Sequence, residues 1–213
     1  MPLEIHPVQE SDFADFVRIQ MAAFAGGGGI TSLLTPTPLP FDYVQKSIDK
    51  HIKSWRDEPD VHYLKVIDTD LGGKMIAGGK WRVNEKERTE EQIQSMLPIP
   101  GIDEEGRPGA QDFMWFLTRA RREYMGRKPF YFLHILVTDP EHHRRGAGAM
   151  LIAWGLKKAD NAQLPSYLES SPMGRPLYAR MGFKPRYEEI WDLRKYGLQG
   201  MDKSTVMIRE PSL

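Results

Sequence analysis

Residues 139–150 read DPEHHRRGAGAM: two histidines, two arginines and two alternating glycines between a proline and an apolar run. A metal, a nucleic acid and a phosphate could each use such a stretch. Adjacent histidines on a turn are poor chelators, and no carboxylate–histidine spacing supports a metal site. Lys plus Arg is 29 and Asp plus Glu is 29, so the chain has no overall positive field to draw nucleic acid or anionic membrane. A phosphate fits better. Backbone N–H groups at a helix start have no internal partner, and the helix dipole adds positive charge there. Gly146 and Gly148 let an anion approach the backbone, and Arg144 and Arg145 add side-chain charge. This chemistry suits a pyrophosphate. The Gly-Lys-Ser/Thr of a Walker loop is absent, and Leu151 stands where a dinucleotide fingerprint needs its third glycine. From these residues alone, a basic loop with glycines for tight packing remains an open alternative.

The elements around the stretch decide what it can be part of. The chain has 213 residues, 40% hydrophobic and 27% charged, the make-up of an ordinary globular protein. It has no cysteine, which removes disulfides, cysteine zinc sites and a thiol nucleophile. The N-terminal residues lack the basic-then-apolar pattern of a secretory signal and no apolar run suits a membrane span, so a cytoplasmic location and no membrane partner are expected.

Residues 3–8 read as a strand, with Ser11 placed to cap a helix carrying Phe13, Phe16, Val17 and Phe24 on one side. The four glycines of AGGGGI (25–30) end that helix, and TPTPLP is extended. Val44, Ile48, Ile52 and Trp55 predict a helix over about 41–55. Residues 61–68 and 74–83 predict a hairpin, with Gly78 and Gly79 marking a bulge or a close backbone approach. Residues 84–128 read as an excursion: solvated charge in NEKERTEEQ, loop in PIPGIDEEGRPG, then a helix with Phe113, Phe116, Leu117, Ala120 and Tyr124 on one side. PFYFLHILVTDP (129–140) predicts a strand buried on both faces. A helix over 149–160, a strand over 166–171, a short helix over about 173–181 and strands over 183–193 and 203–210 follow. The class is α/β in the α+β sense: one domain over 1–213, a mixed sheet with helices on it and a long insertion before the central strand.

Strand, LVTDPEHHRRGAGAMLI, strand and PLYARMGF together resemble the GCN5-related N-acetyltransferase (GNAT) superfamily. That family's phosphate loop, Gln/Arg-x-x-Gly-x-Gly/Ala, appears here as His143-Arg144-Arg145-Gly146-Ala147-Gly148, with His143 departing from the usual first residue. A tyrosine four residues before Gly-Phe appears as Tyr178, before Gly182-Phe183. YLESSPMGRPLYARMGF is most similar to fungal small-molecule acetyltransferases of the superfamily. The resemblance is specific over about 130–193.

The resemblance implies a mostly antiparallel sheet splayed between the strands at 130–138 and 166–170. Acetyl-coenzyme A would lie in the splay as cosubstrate, without metal. Its pantetheine would pair with backbone near Leu136, Val137 and Thr138, and its pyrophosphate would sit by His143 and the amides of Arg144, Arg145, Gly146, Ala147, Gly148 and Ala149. Tyr178 is the expected general acid and His134 the expected base, at the position of a catalytic histidine in arylalkylamine acetyltransferases. Strand alternation places residues 134, 136 and 138 on one face, and an unshifted imidazole pKa near 6.5 would suit proton removal. Glu169 is the alternative base; it could instead bind an ammonium or pair with an arginine. Beyond its place in the loop motif, His143 reads with His6, His51, His62 and His142 as solvated or structural. Trp81, Trp115, Phe116 and Tyr124 could line an acceptor pocket, although each is more often core.

The expected activity is direct transfer of acetyl to a primary amine of a small molecule, by a monomer or homodimer with no nucleic-acid partner. Acetylation of a protein N-terminus or lysine, and an inert coenzyme A-binding module, are the competing readings. The excursion at 84–128 is the expected acceptor lid.

Overall fold

The computed structural model describes residues 2–25, 28–99 and 104–212. Seven strands form one sheet: β1 (Leu3–Pro7), β2 (Val61–Asp68), β3 (Lys74–Asn84), β4 (Phe130–Thr138), β5 (Ser166–Ser170), β6 (Lys184–Asp192) and β7 (Met201–Arg209). Their order is β1-β2-β3-β4-β5-β7-β6, antiparallel throughout except for β4 beside β5. The helices are α1 (Phe13–Ala25), α2 (Tyr43–Asp57), α3 (Glu90–Met96), α4 (Pro108–Tyr124), α5 (Ala147–Ala162) and α6 (Arg175–Arg180). No helix among the described residues is long and apolar enough to cross a membrane.

Each face of the sheet is covered by the helices whose apolar stripes fit it. On one face α1 and α2 pack Phe13, Phe16 and Ile19 with Tyr63, Met75 and Val137. Further along that face α4 seats Phe113, Phe116, Leu117 and Ala120 against Phe130, Phe132, Tyr167 and Trp191. On the other face α5 lays Leu151, Ile152 and Leu156 over Val66, Trp81, Tyr131 and Leu133. The near-continuous apolar run of β4 follows from this: Phe130 to Leu133 are buried from both sides.

Local chemistry accounts for several departures from expectation. Ser11 lies inside a 3-10 turn (Glu10–Asp12), and Asp12 takes the capping role instead, its carboxylate accepting from the Gln9 amide at 2.7 Å. The charged run after β3 holds a helix. Thr89 and Gln92 form a capping box at the start of α3, the Gln92 amide donating to Thr89 Oγ1 and the Thr89 amide to Gln92 Oε1. Gly78 is a close approach and not a bulge: a Cβ there would stand 2.6 Å from the Phe16 ring. The register instead shifts between Val66 and Ile67, and between Lys80 and Trp81. Gly26 and Gly27 of the four-glycine run, and residues 100–103 of the excursion, lie outside the described residues.

Trp81 anchors α5. Its ring is fully buried, its indole N–H donates to the Leu151 carbonyl at 3.1 Å, and a Cβ on Gly155 would fall 2.3 Å from it. In an exposed helix interior, Gly→Ala gains about 1 kcal/mol. Here the neighbour is a rigid, enclosed indole, so overpacking wins. Gly155→Ala is expected to destabilise by about 1–3 kcal/mol, read as a lowered urea midpoint with an unchanged slope.

Candidate active site

The two halves of the sheet meet at β4 and β5, which pair over only two positions, Tyr131 with Ser166 and Phe132 with Tyr167. Beyond Phe132 the strands separate. From Ile135 to Thr138 the β4 backbone is laddered to β3 on one side, and its β5 side has no strand partner among the described residues. The gap opens toward the N-terminus of α5.

The turn that leads there is built from capping chemistry. The Asp139 carboxylate accepts from the Glu141 amide and from Arg18 at 2.9 Å, and these partners hold its pKa below the usual carboxylate range against the opposing effect of burial. His143 folds back onto the strand, its Nε2–H donating to the Thr138 carbonyl at 3.1 Å. Arg144 has φ 60° and Gly146 φ 93°, so two left-handed residues lift the backbone into the start of α5. The amides from Arg144 to Ala149 make no hydrogen bond to the described residues. Gly148 faces the gap, where a Cβ would lie 3.3 Å from Leu177 and 3.8 Å from both Leu136 and Thr138 Oγ1. Leu136, Thr138 and the loop glycines therefore border one space, whereas Val137 packs on the opposite face with α1. Arg145 does not add free charge as expected: its guanidinium pairs with the buried carboxylate of Asp68. Arg144 has no ion pair among the described residues and supplies the charge instead.

His134 departs from strand alternation. Lys80 pairs with Ile135 and Trp81 with Leu133, which leaves His134 as the extra residue of a β-bulge. The bulge turns it away from Leu136 and Thr138, onto the face of Phe132, where the two rings stack at 4.9 Å. The expectation of a shared face for 134, 136 and 138 is thereby corrected. So is the expectation of an ordinary pKa. Burial first, then the positive charges of Arg121, Lys80 and Arg82, hold the imidazole well below 6.5. Its Nδ1 is buried with no hydrogen-bond partner among the described residues.

Glu169 takes the arginine-paired form. Arg121 Nε donates to Oε1 at 2.8 Å and Nη2 to Oε2 at 3.3 Å, and the Tyr167 hydroxyl donates to Oε1 at 2.9 Å. Both oxygens are engaged, which removes the freedom a base would need. Tyr178 lies at the far side of the gap on α6, buried beside Leu168 and Phe183, with Gly174 packed on its ring edge. Burial raises its hydroxyl pKa, so the phenol keeps its proton at neutral pH.

Two side chains of this region escaped the sequence reading. Arg121 reaches from α4 to bridge the strands, its guanidinium 4.8 Å from the Phe132 ring centre and bonded to Glu169. The helical spacing placed Ala120 and Tyr124 but gave an arginine between them no reason to point inward. Lys80 is buried beneath α2, donating to Ser54 Oγ at 2.8 Å. The other singled-out residues lie elsewhere. Trp81 and Phe116 are core, Tyr124 packs beside α4's core face, and Trp115 is exposed in a groove with Asp112, Arg119 and Ile190. His51 sits between Tyr63 and Gln20, its pKa lowered to about 3 by burial. His62 lies against Trp154, His6 bonds Glu4, and His142 meets Arg145.

The comparisons with known proteins agree with this geometry. Over 41 residues the chain is 44% identical to "Probable acyltransferase SID5" of Ajellomyces capsulatus, a match covering 19% of this chain and 30% of that protein. The whole fold superposes on arylalkylamine N-acetyltransferase 2 from Aedes aegypti with a TM-score of 0.71 at 10% identity, over all of both chains. It also superposes on the PaiA N-acetyltransferase from Thermoplasma acidophilum in complex with coenzyme A, with a TM-score of 0.51 at 12% identity over 99% of each chain. Residues 34–183 match the acetyltransferase (GNAT) family, a span that takes in the splay, the glycine loop and Tyr178. The chain belongs to that family.

Proposed function

We propose that the protein uses acetyl-coenzyme A to acetylate the primary amine of a small molecule. The observation that carries this reading is the run of unbonded amides from Arg144 to Ala149, beside a strand edge with no partner. The residues fit the cosubstrate. A pyrophosphate needs several converging N–H donors and backbone close enough to touch, which Gly146 and Gly148 permit. A pantetheine arm carries amides, which suit the backbone edge of β4 near Leu136, where β5 no longer pairs with it. The closure of one side of the splay by α4 and its buried aromatics supports a small acceptor over an extended peptide.

When bound, the thioester supplies an activated acetyl group. The chain's residues then divide the proton chemistry. Tyr178 holds a proton at Oη for the departing thiolate, and its raised pKa keeps it loaded. His134 is neutral at physiological pH and offers Nε2 to the proton that the amine loses as its bond to the acetyl carbon forms. A second reading, in which His134 is only structural, rests on its stacked, half-enclosed position.

Gly148→Glu is expected to weaken coenzyme A binding strongly, measured by calorimetry, because the substitution puts bulk and negative charge at the cradle. Unchanged affinity would remove the cradle from the site. Free-thiol release from acetyl-coenzyme A across an amine panel tests the activity itself.

Tyr178→Phe keeps the ring and loses the proton. Turnover should fall by about 10²–10⁴ while acetyl-coenzyme A affinity holds. An unchanged single-turnover rate would make Tyr178 a packing residue.

For His134 the sign follows from its depressed pKa. A base with a midpoint well below 6.5 is already unprotonated at pH 6, so it contributes no rising limb between pH 6 and 8. The wild-type and His134→Gln profiles of kcat/KM should therefore run parallel there, the variant lower by about 10² or more. A wild-type limb near 6.5 that vanishes in the variant would show that the imidazole titrates normally.

A further inference from the structure

The wall on the α4 side of the splay has an unusual charge balance. Three carboxylates there are already bonded to cations. Glu169 faces Arg121, the two side chains only 9% and 5% exposed. Glu58 and Asp60, at the α2–β2 junction, both accept from buried Arg82. Lys80, between them and His134 in the β3–β4 register, has no carboxylate partner among the described residues. It donates to the Ser54 hydroxyl and lies 5.2 Å from the Tyr63 ring centre. His51, from α2, adds no negative charge. Nδ1 of His134, buried among these groups, has no hydrogen-bond partner.

A site that received an alkylammonium would present a free carboxylate or an aromatic cage to it. This wall presents the reverse: a buried lysine with no ion pair among the described residues, a guanidinium already bonded to Glu169, and an imidazole held neutral by burial. We propose, resting on the acetyltransferase reading above, that the acceptor is an amine that is neutral at physiological pH, such as an arylamine, an O-alkylhydroxylamine or a hydrazine. An alkylammonium would enter only after losing its proton. Burial first, then the charge of Arg82, holds the Lys80 ammonium down to about 7.

O-benzylhydroxylamine and phenethylamine test this. They have the same length and shape, with an oxygen replacing the methylene beside nitrogen. The first is neutral at pH 7 and the second is protonated. Binding is read by calorimetry on the coenzyme A-loaded protein, so that differences in nucleophilicity do not enter. O-benzylhydroxylamine should bind tighter by about tenfold or more at pH 7, since one unfavourable charge contact in a partly buried site is worth at least that. Phenethylamine affinity should rise with pH toward its own pKa, and a permanently charged phenethyltrimethylammonium should not compete. Arg121→Gln releases the Glu169 carboxylate and should raise phenethylamine affinity about tenfold. Equal or tighter binding of phenethylamine at pH 7, competition by the quaternary cation, or no binding of either amine would overturn the inference. The wild-type pair decides the matter if the Arg121 variant does not fold. The acetyltransferase reading fails separately, if no amine of either kind releases thiol from acetyl-coenzyme A.

Discussion

Two residue pairs of parallel ladder, Tyr131 with Ser166 and Phe132 with Tyr167, join the halves of this sheet, and the site exists because the ladder stops there. A buried backbone N–H or C=O without a partner costs about 1–3 kcal/mol, so a strand edge cannot simply be left open in a sealed core. It must face water or a ligand with its own amides. The halves are therefore held together away from the gap. On one face α4 packs across both, touching Phe130 and Phe132 of β4 and Tyr167 of β5 in a single cluster. On the other, Leu151 and Leu156 of α5 join Leu168, Tyr178 and Met207. The bulge at His134 lies two residues beyond the last shared pair, where added twist carries β4 away from β5.

Arg121 and Glu169 close the base of the gap with a buried ion pair. Such a pair often adds little net stability, yet removing one member typically costs about 3–5 kcal/mol because the other is left charged and enclosed. The pair has a geometric consequence that an apolar contact would lack. It ties the inserted helix to β5 at one residue, through two nitrogens and two oxygens, and fixes the distance from α4 to the splay. The insertion thus acts as a wall whose position is set by the strands it covers. The buried aromatic stripe of α4 argues the same way: Phe113 and Phe116 meet Trp191, so the helix could not lift as a lid without exposing core.

What could be read from the sequence was whatever depends on local chemistry. The strands, the stripes of α1 and α4, and the glycine loop before α5 all rest on spacing within one segment. Even α3 was locally encoded, in Thr89-x-x-Gln92, but its charged surroundings masked the capping box. The bulge was not legible, because it depends on how β4 pairs with β3, and no residue of FYFLHILVT declares which member is extra. That single position reversed the face of His134. Arg145 was misjudged for a related reason, and the arginine that Glu169 pairs with could not be named. A charged residue next to a candidate site looks available until the fold brings up its partner, here Asp68 from β2 and Arg121 from the insertion. Gly155 was silent too, since only the Trp81 ring beneath it makes a side chain there costly.

The environments of Tyr178 and His134 push their pKa values apart, and in a direction that matters. Enclosure raises the phenol because its charged form is the anion, and lowers the imidazole because its charged form is the cation. The same physical cause thus yields one group that keeps its proton and one that stays without it at the same pH. Pairs of titratable groups separated in this way are the usual basis for acid and base roles within one site. Cations sharpen only one of the two. Arg121, Lys80 and Arg82 act on His134, whereas burial alone acts on Tyr178. The splay accounts for the difference. β4 carries His134 toward the charged wall under α2 and α4, while α6 keeps Tyr178 on the apolar side with Leu168 and Phe183, so the imidazole and the phenol sit on opposite halves of the sheet.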